Sequence, residues 1–135
     1  MSAQDVQTIR EGYEAFARQD IPAVLAAFDP NITWETPDAM PFGGTRHGHD
    51  EVIGFFQELS QYWRDLSVAP LEFIDGGDTI VVRCLISGVG AAGPLEAESL
   101  HLWRMRDGKG VEFTEYTDTA RALEALGTPA AAARA

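Results

Sequence analysis

Two sets of residues in this chain have side chains able to bind a metal or move a proton. The first lies in "FGGTRHGHDEVIGFF", residues 42 to 56, where His47 and His49 stand two apart with Asp50 and Glu51 directly behind them. A zinc site needs three or four ligands converging on a tetrahedron. From an extended turn the two histidines reach one metal only if a third ligand folds over them. The same residues also make a helix start, with Asp50 as N-cap and Glu51 in the first turn, where it suits the helix dipole. Short motif matches are unspecific, so the turn outweighs the metal site, and no metal is expected.

The second set is His101 and Glu115, in the segments "LEAESLHLWRMR" and "GVEFTEYTD" that flank an "RDGK" turn. If Arg106, Asp107 and Gly108 form a three-residue loop with a bulge, His101 falls opposite Phe113 and Ser99 opposite Glu115. Side chains alternate along a strand, so Ser99, His101, Trp103, Phe113 and Glu115 then share one face. Leu100, Leu102, Thr114 and Tyr116 share the other. A two-residue Asp107–Gly108 turn slips the register by one and separates His101 from Glu115. On one face of an apolar site the two form a proton-transfer pair, because burial and a partner's charge both move pKa values toward neutrality. The plainer alternatives are a mutually satisfied polar pair, or a salt bridge from Glu115 to Arg83.

These groups need a scaffold, and 135 residues make one domain with a single core. The formal charge of −11 and pI near 4.5 repel polyphosphates, so neither nucleic acid nor an anionic membrane is an expected partner. Cys84 is the only cysteine, which excludes an internal disulfide and a cysteine metal cluster. The N-terminus lacks a basic and an apolar stretch, so no signal peptide is read there. No apolar run approaches the ~20 residues that span a bilayer. The expected location is the cytoplasm.

Val6, Ile9, Tyr13 and Phe16 recur at helical spacing. Asp20 is the expected cap of a second, short helix with Pro22 in its first turn and Phe28 on its apolar side. "NITWET" reads as a short strand, residues 37–49 as irregular, and Val52, Phe55, Phe56, Leu59 and Trp63 as the face of a third helix from Asp50. "LSVAPLEFI" and "DTIVVRCLISGVG" form a hairpin ahead of the one described above. "ARALEAL" is a last helix, capped by Asp118 or Thr119 and ended by Gly127. The expectation is one domain over residues 1–127 and a flexible tail over 128–135. The order gives an α+β fold with helices on one face of a curved sheet.

Three stretches, "YEAFARQDIPAVLAAFDPNITWETP", "GGTRHGHDEVIGFF" and "LHLWRMRDGKGVEFTEYTDTARALEALG", resemble the SnoaL-like branch of the nuclear transport factor 2-like superfamily, relatives of ketosteroid isomerases and polyketide cyclases. The resemblance implies a cone-shaped α+β barrel, a strongly curved mixed or antiparallel sheet wrapped around three N-terminal helices, with an apolar pocket. It also implies a homodimer through the outer sheet face, where Leu100, Leu102 and Tyr116 make an apolar patch. It favours the three-residue hairpin loop, and it calls for no cofactor.

Laid on this sequence, the isomerase oxyanion Asp falls on His101, its Tyr on Gly12 beside Tyr13, and its base Asp on Thr36. All three are changed, so steroid isomerisation by that base is not expected. The acid/base Asp of polyketide cyclases falls on Glu115, where a carboxylate survives. Arg83 would point inward, as an arginine does in limonene epoxide hydrolases, although their flanking Asp pair has no match. The lead reading is a protein binding an unknown small apolar ligand, with His101 and Glu115 moving a proton on a carbonyl or cyclic metabolite and Tyr13 contacting an oxyanion. Phe16, Trp34, Phe56, Trp63, Ser99, Trp103 and Phe113 would line the pocket, and Met40 and Phe42 would form its rim. The competing reading is a non-catalytic ligand-binding or dimerisation module; an epoxide hydrolase comes third.

Overall fold

Apolar periodicity in the first residues becomes α1, Ser2–Ala17, in a computed structural model that describes residues 2–127. The tail expected over 128–135 lies outside the described residues. On α1, Ile9, Tyr13 and Ala15 are buried, with Val6 and Phe16 packed beside them. The α2 helix, Ile21–Leu25, is capped as expected: Asp20 Oδ1 accepts from the Ala23 N–H at 3.2 Å, and Pro22 occupies the first turn. Phe28 does not belong to α2. It opens β1, Phe28–Thr36, whose register shifts between Phe28 and Thr33. Pro30 sits inside that irregularity, a place where a strand tolerates a missing N–H.

Residues 37–49 are not wholly irregular. Turns in which Met40 N–H donates to the Pro37 carbonyl and Gly43 N–H to the Met40 carbonyl lead into β2, Gly44–His47. A Cβ on Gly43 would lie 1.9 Å from the Pro37 oxygen, so the turn closes only around glycine. The β2 strand pairs antiparallel with β1, Thr33 opposite His47 and Thr36 opposite Gly44. The α3 helix, Gly48–Tyr62, begins two residues before Asp50, with His47 at the N-cap position. Asp50 therefore sits in the first turn, and Glu51 does the capping by accepting the His47 N–H at 2.8 Å.

The remaining strands form an antiparallel meander of β3, Arg64–Asp75, β4, Thr79–Gly90, β5, Gly93–Arg106, and β6, Lys109–Thr117. The sheet runs β2-β1-β6-β5-β4-β3, with β1 and β6 parallel. It is a mixed six-stranded sheet that stays open, with β2 and β3 as free edges, rather than closing into a barrel. Buried residues alternate with partly buried ones along β4 and mostly with exposed ones along β5, which assigns one face to the core. The helices cover that face: α1 packs on β3, α3 on β1, and α4, Thr119–Leu126, on β5. Asp118 caps α4, and Gly127 ends it at φ 83°, a left-handed conformation that suits glycine.

The last hairpin departs from the expected register. Arg106 pairs with Lys109, so the turn holds only Asp107 and Gly108, at φ 52° and 76°. Positive φ at both positions is the type I′ geometry that an Asp-Gly pair favours. A bulge follows, for Met105 lies opposite Gly110 but Arg104 opposite Glu112, which leaves Val111 as the extra residue. Beyond it Trp103 faces Phe113, His101 faces Glu115 and Ser99 faces Thr117. The expected pairing was two residues off, and an even offset keeps the same faces together.

Candidate active site

His101 and Glu115 sit directly opposite each other on the inward face of β5 and β6. His101 Nε2 lies 3.1 Å from Glu115 Oε2. The other ring nitrogen, Nδ1, is 2.5 Å from the Tyr13 hydroxyl, and the Trp103 indole N–H donates to that same hydroxyl at 3.0 Å. One continuous chain results, from Trp103 through Tyr13 and His101 to Glu115. Helix α1 contributes one member, β5 two and β6 one. Ser99 stands behind it, donating to the Tyr116 carbonyl at 3.1 Å and lying 3.5 Å from Glu115 Oε2. Cys84 Sγ lies 3.7 Å from His101 Nδ1.

Burial alone pushes the His101 imidazole down, because a cation loses its hydration there. The Cys84 sulfur and the hydrogen bond and charge of Glu115 act the other way and lift it to about 9. Near neutral pH His101 is then an imidazolium paired with the Glu115 carboxylate. Burial and the adjacent Cys84 and Glu115 push the Tyr13 phenol well above its ordinary range, so it stays protonated. With His101 charged, both ring N–H groups donate, one to Glu115 and one to the Tyr13 oxygen. The Glu115 side chain is 19% exposed against 6% for His101, which makes it the accessible end of the chain. Its Oε2 takes both contacts, and among the described residues none is formed by Oε1.

Tyr13, His101, Trp103 and Glu115 line a cavity of about 110 Å³ between the helices and the sheet. That is the same order as the ~150 Å³ apolar cavity known to admit a benzene ring. Phe16, Trp34, Phe56, Trp63 and Phe113 also line it. Trp34 stacks on Phe113 with ring centroids 3.8 Å apart, and Phe113 meets His101 edge-on at 4.9 Å. Met40 and Phe42, expected at a rim, are each only 5% exposed and belong to the wall itself.

Two expected lining residues are elsewhere. Ser99 is buried behind Glu115 and does not border the cavity. Arg83 points away from it: its neighbours Val82 and Cys84 are fully buried, so strand alternation turns Arg83 outward. There it pairs with Glu98 at 2.9 Å and Glu72 at 3.3 Å, and it makes no bridge to Glu115. Tyr13 lines the cavity, yet its oxygen is engaged by His101 and Trp103.

Cys84 was missed as a neighbour of the site, whereas Thr36, where the isomerase base position falls, lines the cavity. The alternation of "TWET" put Thr36 on the same face as Trp34, which was the available signal. At the other cluster, His49 Nε2 contacts the Phe28 carbonyl at 3.1 Å while His47 is exposed. Among the described residues no three or more His, Cys, Asp or Glu side chains gather into a metal-sized group. Nor is any described helix long and apolar enough to cross a membrane.

The sequence pattern of the SnoaL-like domain matches residues 9–113. Among solved structures, an NTF2-like protein of unknown function from Burkholderia pseudomallei K96243 is 40% identical, with a TM-score of 0.88 over 93% of this chain and 98% of that one. TerC, co-crystallised with polyporic acid, is 28% identical with a TM-score of 0.87, over 93% of this chain and 99% of that one. IdmH of Streptomyces antibioticus, described as a candidate polyketide cyclase, is 25% identical with a TM-score of 0.77 and the same coverage. No curated protein matches.

Proposed function

The chain belongs to the SnoaL-like family of NTF2-like folds, and from that premise we propose that it binds a small cyclic carbonyl compound in the cavity and moves a proton on it. The observation that carries this reading is the His101–Glu115 pair, 3.1 Å apart, at the wall of an otherwise apolar cavity. A carboxylate with a free oxygen in a water-poor site is a competent base for a C–H bond next to a carbonyl. In the proposed step that C–H bond breaks and the proton passes to Glu115. The electron pair delocalises onto the carbonyl oxygen, and returning the proton to another carbon completes an isomerisation; in a cyclisation the enolate carbon instead bonds to a second carbonyl carbon of the ligand, whose oxygen takes the proton from Glu115. His101 holds the carboxylate in place and balances its charge, while Tyr13 and Trp103 hold His101. The co-crystallisation of TerC with polyporic acid and the likeness to IdmH support a small cyclic ligand.

A second reading, a ligand-binding module without chemistry, is favoured by the engagement of the Tyr13 oxygen inside the chain, which gives an oxyanion less help. Acetophenone in D₂O separates the two. If the proposal holds, NMR shows its methyl protons exchanging in proportion to protein concentration, and Glu115→Gln slows that exchange about 100-fold or more. Equal exchange rates for both proteins would refute the role of Glu115, and no exchange at all would leave the binding module.

The outer sheet face exposes Leu71, Ile74, Leu100 and Tyr116, each between 44% and 58% exposed. We propose that two copies pair there, which light scattering on Leu102→Asp tests.

A further inference from the structure

Two buried polar atoms in the cavity wall have no hydrogen-bond partner: the Trp34 indole Nε1 and the Thr36 hydroxyl. Their residues are 5% and 6% exposed, both line the cavity, and both lie on the inward face of β1. Buried donors of this kind are rarely left unsatisfied, so each calls for an explanation. We propose that Trp34 Nε1–H and Thr36 Oγ–H form a subsite for one neutral acceptor oxygen of the ligand, a ketone or quinone carbonyl. The inference rests on the cavity being a ligand site and names the chemistry recognised there.

The type of group selects the ligand. An indole N–H only donates, and a threonine hydroxyl can donate beside it, so the occupant must be an acceptor. An ammonium group, which has no acceptor, is thereby excluded. Charge narrows the choice further. Trp34 pairs with Phe113 and Glu35 with Thr114 across parallel strands, which puts Thr36 level with Glu115 on the neighbouring strand. A ligand carboxylate at Thr36 would face the Glu115 carboxylate, whereas a neutral carbonyl would not be repelled. The stack on Phe113 holds the Trp34 ring in place, so its N–H is oriented before a ligand arrives. A carbonyl oxygen held there places the carbon next to it beside Glu115, the group proposed to take the proton.

The test reads affinity rather than exchange, with acetophenone and ethylbenzene as probes that differ in one oxygen. Titration followed by NMR should show Thr36→Val weakening acetophenone about 10-fold, the loss of one hydrogen bond, while ethylbenzene stays within about twofold. In the unmodified protein the Trp34 indole proton should move with acetophenone and not with ethylbenzene. Parallel weakening of both probes, or an indole signal that ignores acetophenone, overturns the subsite and leaves two groups that hold only water. Binding of neither probe overturns the ligand-cavity reading together with the subsite. Acetophenone binding with full Thr36 dependence but no proton exchange supports the subsite and overturns only the catalytic reading.

Discussion

Each face of this sheet carries a cation next to carboxylates, and the two arrangements are adjacent in the weave. Outside, Arg83 lies 2.9 Å from Glu98 and 3.3 Å from Glu72, with 38% of its side chain exposed. Inside, His101, paired across the strands with Val82, the residue next to Arg83, lies 3.1 Å from Glu115 with only 6% exposed. By distance the Arg83–Glu98 contact is the closest of the three. Its attraction is nevertheless screened by water and opposed by side-chain entropy, so little of it reaches stability. The inner pair is largely shielded from water, and His101 is satisfied by Glu115 and Tyr13 while Glu115 is held by His101 and Ser99. Solvent exclusion, more than the residue types, turns one charge pair into a candidate for chemistry and leaves the other as surface.

Replacing one inner partner breaks this contrast most sharply. His101→Phe leaves the Tyr13 hydroxyl and the Glu115 carboxylate without their shared partner, at an expected cost of about 3 kcal/mol in a urea unfolding curve. A loss indistinguishable from that of Arg83→Ala would mean that the two pairs are equivalent.

pH sharpens the contrast with a smaller effect. His101 in the fold sits at about 9 against an ordinary 6.5, so the folded protein holds that proton more tightly. Its contribution is complete below about pH 6.5 and is lost as pH rises through about 9. The thermal midpoint should fall across that window, and the fall should vanish in His101→Phe. A midpoint equally steep in both proteins would assign the titration to other groups.

The smallest change in protomer stability is expected on the outer face. Leu102→Asp should halve the mass seen by light scattering while leaving the fold of each copy in place. A persistent dimer would move the interface elsewhere.

Legibility in the sequence followed the strength of each local signal. The helices carried two to five apolar residues at helical spacing, and all four formed, although Phe28 belongs to β1 rather than α2 and α3 starts before Asp50. In β4 and β5 the alternation is long enough to state which face is buried. By contrast β2, "GTRH", has four residues and no apolar alternation, and only its pairing with β1 reveals it. The α3 start was misplaced because Asp50 has the right chemistry for a cap, while Glu51 reaches back to His47 and performs that role. Arg83 was read inward by likeness to other proteins, although alternation with Val82 and Cys84 already pointed it outward. The Trp103–Tyr13–His101 links could not be read at all, since they join residues on α1 and β5 through packing that no local pattern encodes.

Val111, the unpaired residue three positions past the Asp107–Gly108 turn, bears on how the cavity could change over time. It acts as a phase setter for everything downstream on β6. Losing it, or gaining one residue in the turn, would exchange the two sides of the strand, sending Phe113 and Glu115 to solvent and Thr114 and Tyr116 inward. Gaining two residues would restore the original phase. Val111 is not itself a member of the proton chain. The site is therefore tolerant of spelling changes at this position and intolerant of odd changes in length, so drift at the hairpin tip should proceed by replacement or by pairs of residues.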